Sequence, residues 1–68
     1  MRHYVKGDWL PSGFRVGQRV VLSADMREMF EPPYEGVVVS GARVNQVTVR
    51  RLDRIPETWH PDCWGDAP

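Results

Sequence analysis

The sequence predicts a small all-β domain of about five strands, and three features carry this prediction. The chain has 68 residues, which suffice for one domain that hides only about 60% of its unfolded surface. Six glycines and six prolines mark frequent tight turns. Between these turns lie short valine-rich segments instead of long runs of helix-forming residues. Because such short strands bury little in a flat sheet, we expect them to curl into a small barrel around one core.

Residues 1–13 are expected to form an N-terminal arm. This stretch mixes aromatic residues such as Tyr4 and Trp9 with charged ones, so it is either an extra edge strand or an arm whose aromatics pack on the domain. A Pro-Ser-Gly turn ends it, and the barrel is expected to span residues 14–64. Gly17 precedes a β-branched run that predicts the first strand over Arg19–Leu22.

One helical turn is predicted between the first two strands. Ser23 can cap it, and apolar residues at Met26, Met29 and Phe30 follow with helical spacing. The pair Pro32-Pro33 ends the segment, which is too short to be an independent helix. We therefore expect a long loop that holds a single helical turn.

The central strands are expected at Gly36–Ser40 and over Val47–Arg51. Three consecutive valines in the first of these indicate either burial on both faces or a strand that coils sharply over the core. The second strand alternates cleanly, which puts Gln46, Thr48 and Arg50 on the face opposite its valines. The centre of the core is expected to hold six residues: Val20, Leu22, Val37, Val39, Val47 and Val49.

The last predicted strand pair flanks a tight turn. Thr58–His60 reads as a short strand, Pro61-Asp62-Cys63 as a helical turn, and residues 65–68 as a frayed tail after a short terminal segment. A single helical turn between the last two strands is the architecture of an SH3-like barrel. The predicted fold is thus an SH3-like barrel with an N-terminal arm.

Two segments of the chain resemble known small barrels. The pattern Phe14-x-Val16-Gly17-x-Arg19-Val20, followed by Tyr34-Glu35-Gly36-Val37-Val38, resembles SH3-like modules of the KOW type and is similar to the barrel domain of the nitrile hydratase β subunit. Val47–Arg50 and Thr58–Asp62 resemble small uncharacterised proteins of bacteriophages and prophages. Since KOW modules often bind RNA or proteins, the resemblance implies a binding module.

Composition narrows the function classes. Nine basic residues balance nine acidic ones, so no overall charge draws the protein to nucleic acid or to an anionic membrane. No apolar run approaches the ~20 residues of a membrane span. A single cysteine, Cys63, forms no internal disulfide framework and fits a reducing compartment. We expect a protein of the bacterial cytoplasm.

Catalytic and metal sites find little support. His60 and Cys63, with His3 as a third ligand, lack the second ligand pair of a structural zinc site; the alternative is a capping histidine and a small buried thiol. The same pair imitates a Cys-His dyad, but such residues are normally distant in sequence. Glu28, Glu31 and Glu35 read as a solvated acidic loop. We expect no enzyme, no metal and no cofactor.

Nucleic-acid binding is one of two remaining hypotheses. Residues 43–54 hold four arginines against one aspartate, and arginine suits phosphate and base-edge contacts. The candidate stripe comprises Arg43, Gln46, Thr48, Arg50, Arg51 and Arg54. The alternative is a solvated face whose arginines pair with neighbouring carboxylates.

Protein binding is the other hypothesis, and it is preferred. The chain has three tryptophans, two tyrosines and two phenylalanines, more large rings than so small a core can enclose. Trp9, Phe30, Tyr34 and Trp59 are the candidate contact residues, because exposed aromatic side chains act as interface hot spots. The competing possibility is that the arm folds back and Trp9 covers the open end of the barrel.

Overall fold

The computed structural model describes residues 4–52 and 54–68, and its five strands confirm the all-β fold class. The strands are β1 (Arg19–Leu22), β2 (Glu35–Ser40), β3 (Val47–Arg51), β4 (Glu57–Trp59) and β5 (Trp64–Asp66). One helical turn, α1 (Ala24–Arg27), follows β1, and a 3-10 turn (Pro61–Cys63) separates β4 from β5. The position of the 3-10 turn is the one predicted from the sequence.

The strands form a single antiparallel sheet in the order β4-β3-β2-β1-β5. β1 lies between β2 and β5 and pairs with both of them. β4 and β5 each have one partner strand within the described chain, so both remain edges of the sheet. The edge along β5 includes Gly65 and Asp66, which were expected in a frayed tail but pair with Val21 and Val20.

One face of the sheet carries the core. Its buried residues are Leu10, Val20, Leu22, Val38, Val47, Val49 and Trp64. The predicted places of Val37 and Val39 in this core are wrong, since Val38 is the buried valine of β2. Gly36 explains the register: it lies on the inner face, where an added Cβ would stand 2.6 Å from Cγ1 of Val49. Because successive residues of a strand face opposite sides of the sheet, the inward position of Gly36 turns Val37 outward.

The N-terminal arm folds as a hairpin of residues 7–16, here called the N-terminal hairpin. Gly7 N–H donates to the carbonyl of Val16 at 2.8 Å, and Trp9 and Arg15 face each other across an isolated bridge. Leu10 is the buried core residue of this hairpin, and Phe14 and Val16 pack against the core while partly buried. Trp9 is 68% exposed, so the competing possibility that it covers the open end of the barrel is wrong.

The loop between β1 and β2 is attached to the sheet at both ends. Ser23 stands at the N-cap of α1, but its hydroxyl makes no capping hydrogen bond. Beyond the helix, Phe30 and Tyr34 pack against the core, and the carbonyl of Tyr34 accepts from Leu22 N–H at 2.9 Å. The loop therefore brings Phe30 against Trp59 of β4 and Pro33 against Arg51 of β3, where two of the surfaces below are built.

Candidate functional site

Two of the four predicted contact aromatics meet at the end of the sheet. The rings of Phe30 and Trp59 lie edge to face, with centroids 5.2 Å apart. The guanidinium of Arg51 lies 5.1 Å from the centre of the Phe30 ring, and Nε1 of Trp59 donates to Oε2 of Glu57 at 3.3 Å. We call these four residues (Phe30, Arg51, Glu57 and Trp59) the Arg51 clasp.

Arg51 is the buried charge of the clasp. It is only 5% exposed, on the same face of β3 as Val47 and Val49. Its Nη2 donates to Oε1 of Glu57 at 2.9 Å, and its Nη1 donates to the carbonyls of Glu31 and Pro33 at 3.1 and 3.2 Å. The prediction that Arg51 contacts nucleic acid is therefore wrong, because its donors are already used inside the protein.

The rest of the predicted arginine stripe is scattered over the surface. Arg54 is exposed and reaches the carbonyl of Pro32 at 3.4 Å, while Arg43 and Gln46 are exposed in the loop between β2 and β3. The hydroxyls of Thr48 and Thr58 pair across β3 and β4 at 2.7 Å. The structure therefore does not gather the six residues into one continuous basic stripe.

Trp9 and Tyr34, the other two predicted aromatics, lie apart from each other. Tyr34 is half-buried against the core. Trp9 lies on the N-terminal hairpin with the Arg15 guanidinium 4.8 Å from its ring centre. A depression of about 610 Å³ beside it is lined by Lys6 and Asp66, among other residues. Of the four, Trp9 is the one with a largely exposed ring.

The outer face of the sheet carries an apolar groove of about 580 Å³. The residues lining this outer groove are Arg19, Pro33, Glu35, Gly36, Val37, Val39, Arg50 and Leu52. Strand pairing puts Arg19, Val37 and Arg50 side by side, since Val37 is opposite Arg19 in β1 and opposite Arg50 in β3. Val37 is 41% and Leu52 69% exposed, so the groove presents aliphatic surface to solvent.

The charges around the outer groove are unequal in their pairing. Nε of Arg19 donates to Oε1 of Glu35 at 2.8 Å, so these two neutralise each other at one side. Arg50 is exposed on the other side, and its side chain has no hydrogen bond or ion pair with any residue the structure describes. The groove thus combines an apolar floor with one cation that is free to take an anionic partner.

The outer groove was missed at the level of sequence because its valines were assigned to the core. The run Val37–Val39 is equally apolar whether Val38 or its two neighbours face the core, and no polar residue among the three marks the outward face. The signal that could have found it is Gly36, since a glycine within a strand indicates close approach of a neighbouring chain. With Gly36 inward, Val37 must face outward.

The candidate metal and catalytic residues have local structural roles or stand alone. Nδ1 of His60 accepts from the backbone N–H of Asp62 at 3.1 Å and so caps the 3-10 turn, as the capping alternative expected. Cys63 is a free, half-buried cysteine. Over residues 4–52 and 54–68, no three His, Cys, Asp or Glu side chains form a group that could hold a metal ion. His3, the proposed third ligand, lies outside the described residues.

No similarity to a known protein indicates the function, which is therefore inferred from the residues themselves. The chain matches no protein-family model, no curated protein and no solved structure. Within the part of the chain that the structure covers, no helix has both the length and the apolar character needed to cross a membrane.

Proposed function

We propose that this protein is a non-catalytic binding module that holds a segment of a protein partner in the outer groove. The observation that carries the proposal is the aliphatic floor formed by exposed Val37 and Leu52 and half-buried Val39 beside the unpaired side chain of Arg50. Monomeric proteins keep few such concave apolar surfaces without a use for them. The chemistry of the lining selects a partner segment with apolar side chains and a carboxylate.

Each part of the outer groove contributes differently to binding. Burial of the aliphatic floor contributes roughly 25 cal/mol per Å² of apolar surface removed from water. A partner carboxylate placed against Arg50 forms charge-assisted hydrogen bonds, which are shorter and stronger than neutral ones. Arg19 and Glu35 already neutralise each other, so a charged partner side chain on their side of the groove finds no free counter-charge and is disfavoured. The floor therefore supplies affinity, and Arg50 sets the orientation of the segment.

The same proposal includes a cellular context. The resemblance of Val47–Arg50 and Thr58–Asp62 to small bacteriophage and prophage proteins supports an accessory protein that contacts a host or phage protein. The free thiol of Cys63 supports a reducing compartment such as the bacterial cytoplasm.

A peptide selection with matched variants tests the outer groove. Peptides that bind the immobilised protein are selected from a random display library, sequenced and synthesised. We expect enriched peptides that combine aliphatic residues with Asp or Glu. Val37→Asp should weaken their binding at least tenfold, because it places a charge on the apolar floor. Val44→Asp is the control, since Val44 is 72% exposed in the loop between β2 and β3 and the charge change is identical.

A second variant pair separates protein binding from nucleic-acid binding. Arg50→Glu should weaken the selected peptides strongly, whereas Arg43→Glu, an equal charge change on an exposed loop arginine, should not. Titration with single-stranded DNA and RNA at low and physiological salt completes the test. Binding that falls steeply with salt and responds equally to both variants would replace the proposal with a nucleic-acid surface. Equal peptide loss from Val37→Asp and Val44→Asp would also contradict it.

A further inference from the structure

A third cavity lies between the N-terminal hairpin and β5, away from the outer groove, and it shares Gly13, Gln18 and Asp66 with the depression beside Trp9. Its volume is about 380 Å³, and its lining residues are Ser12, Gly13, Phe14, Gln18, Trp64, Gly65 and Asp66. None of these residues lines the outer groove. We propose that this cavity and the free edge of β5 together form a site, the β5 site, which binds an extended peptide segment of another protein by strand addition.

Two buried polar atoms of the cavity residues have no hydrogen-bond partner. Trp64 is 6% exposed, and neither its Nε1 nor the Oγ of Ser12 contacts a donor or acceptor in the part of the chain that is described. Buried polar groups in folded proteins are nearly always hydrogen-bonded, because an unpaired one loses its hydration without compensation. An indole N–H can only donate. A ligand that brings a hydrogen-bond acceptor would satisfy the Trp64 donor once a small shift of the cavity lining uncovers it.

The free edge of β5 supplies the backbone groups for strand addition. Ser23 N–H donates to the Cys63 carbonyl at 2.9 Å, and Ala67 N–H donates to the Arg19 carbonyl at 3.1 Å. In an antiparallel ladder the groups that face the partner strand alternate, so those of Trp64 and Asp66 face away from β1. The Trp64 N–H already donates to the Pro61 carbonyl. The Asp66 N–H and the carbonyls of Trp64 and Asp66 remain for an added strand.

The polar groups of the β5 site select the chemistry of the segment. Lys6 and Arg15 line the adjoining depression beside Trp9. Asp66 accepts a hydrogen bond from the side-chain amide of Gln18, and among the described residues that line the cavity none is a lysine or arginine. An acidic segment is therefore disfavoured by an unmatched negative charge. A neutral or basic extended segment avoids repulsion from the Asp66 carboxylate, and its backbone carbonyls and amides pair with the free donor and acceptors of β5.

A partner protein suits the β5 site better than a second copy of this chain. Two copies joined edge to edge through β5 would pair three residues each, whereas a stable interface buries on the order of 1,200 Å² or more. Such a pair would also bring the Asp66 carboxylates of both copies to one edge. A longer extended segment can pair with β5 and continue into the cavity beside Ser12 and Trp64.

The first test compares two substitutions of Asp66 that remove the same carboxylate, of which only one also removes the backbone N–H of the β5 edge. Proline has no N–H, and it is tolerated on an edge strand where that group faces solvent. Peptides selected from the random library are compared on Asp66→Pro and Asp66→Ala, which both remove the carboxylate. We expect at least a tenfold weaker affinity for Asp66→Pro than for Asp66→Ala in one class of peptides. Val37→Asp should leave that class unchanged, which separates the β5 site from the outer groove.

The second test follows the unpartnered atoms. We expect Ser12→Ala to weaken the same peptides severalfold and Ser40→Ala, a serine replacement on β2, to leave them unchanged. The indole N–H signal of Trp64 in NMR spectra should shift more on peptide binding than that of exposed Trp9. The proposal is overturned if no selected peptide distinguishes Asp66→Pro from Asp66→Ala. It is also overturned if the Trp64 signal moves with protein concentration alone, which indicates self-association.

Discussion

The Arg51 clasp and the β5 site use the same kinds of side chain in opposite ways. In the clasp, the indole N–H of Trp59 donates to Glu57, and the buried Arg51 finds a carboxylate and two carbonyls. In the β5 site, the indole N–H of Trp64 and the hydroxyl of Ser12 are buried without partners. The comparison distinguishes polar groups whose hydrogen bonds stabilise the fold from buried polar groups that have no partner in the described structure. Stability measurements on single variants can test this distinction.

The largest effect is expected from Arg51→Ala. It leaves the Glu57 carboxylate and the carbonyls of Glu31 and Pro33 without their donor, and breaking a buried ion pair costs about 3–5 kcal/mol. Domains of this size have a total stability of the same order. We therefore expect Arg51→Ala to be largely unfolded, as measured by urea unfolding followed by circular dichroism.

Arg50→Ala is the matched control for that experiment. Arg50 is the next residue along β3, but it is exposed and unpaired within the described chain, so its removal should change the free energy of unfolding by no more than about 0.5 kcal/mol. If the two variants unfold at the same urea concentration, the Arg51 clasp does not stabilise the fold.

A smaller loss is expected from Phe30→Ala. The half-buried ring packs edge to face on Trp59 and lies under the Arg51 guanidinium. Losing its buried area and these two contacts should lower the free energy of unfolding by about 2 kcal/mol. Met29→Ala serves as the control, because Met29 is the preceding residue of the same loop and its side chain is 71% exposed. Equal losses in thermal or urea unfolding would show that the loop is not attached through Phe30.

These expectations also show which parts of the fold could be predicted from the sequence. The bounds of β1 coincide with the predicted Arg19–Leu22, because a glycine turn and a β-branched run act locally. β3 was predicted equally well, since its apolar and polar residues alternate. The register of β2 was not predicted correctly, because three successive valines carry no period. The register of β2 depends on the close approach of Gly36 to β3.

The candidate site was harder to predict because its contacts are distant in sequence. Strand alternation already separates Arg50 from Arg51, but the charge count of residues 43–54 joined them in one stripe. The partners of Arg51 include carbonyls of Glu31 and Pro33, which lie about twenty residues earlier in a loop without regular structure. No local pattern reports such a contact. The partnerless Trp64 N–H is also a property of packing that sequence alone does not show.

Within the Arg51 clasp, the indole N–H of Trp59 can be tested separately. Trp59→Phe keeps an aromatic ring against Phe30 but removes the donor to Glu57. A hydrogen bond to a charged group contributes about 1.5–3 kcal/mol net. The partial exposure of Trp59 and the length of 3.3 Å place this bond below that range. We expect the free energy of unfolding to fall by about 1 kcal/mol. An unchanged midpoint would mean that the N–H is hydrated equally well without Glu57.

The smallest effect is expected at the β5 site, from Ser12→Ala. The Ser12 hydroxyl is buried and has no partner in the described structure, so alanine removes an uncompensated polar group and no hydrogen bond. The free energy of unfolding should therefore stay within about 0.5 kcal/mol of the original value or rise slightly. Thr58→Val provides the contrast, because it removes one hydroxyl of the 2.7 Å pair with Thr48 and should cost more. If Ser12→Ala destabilises the protein by as much as Trp59→Phe, the hydroxyl contributes to folding. Its lack of a partner would then no longer indicate a binding site. If stability is retained while peptide affinity falls, the hydroxyl serves binding and not the fold.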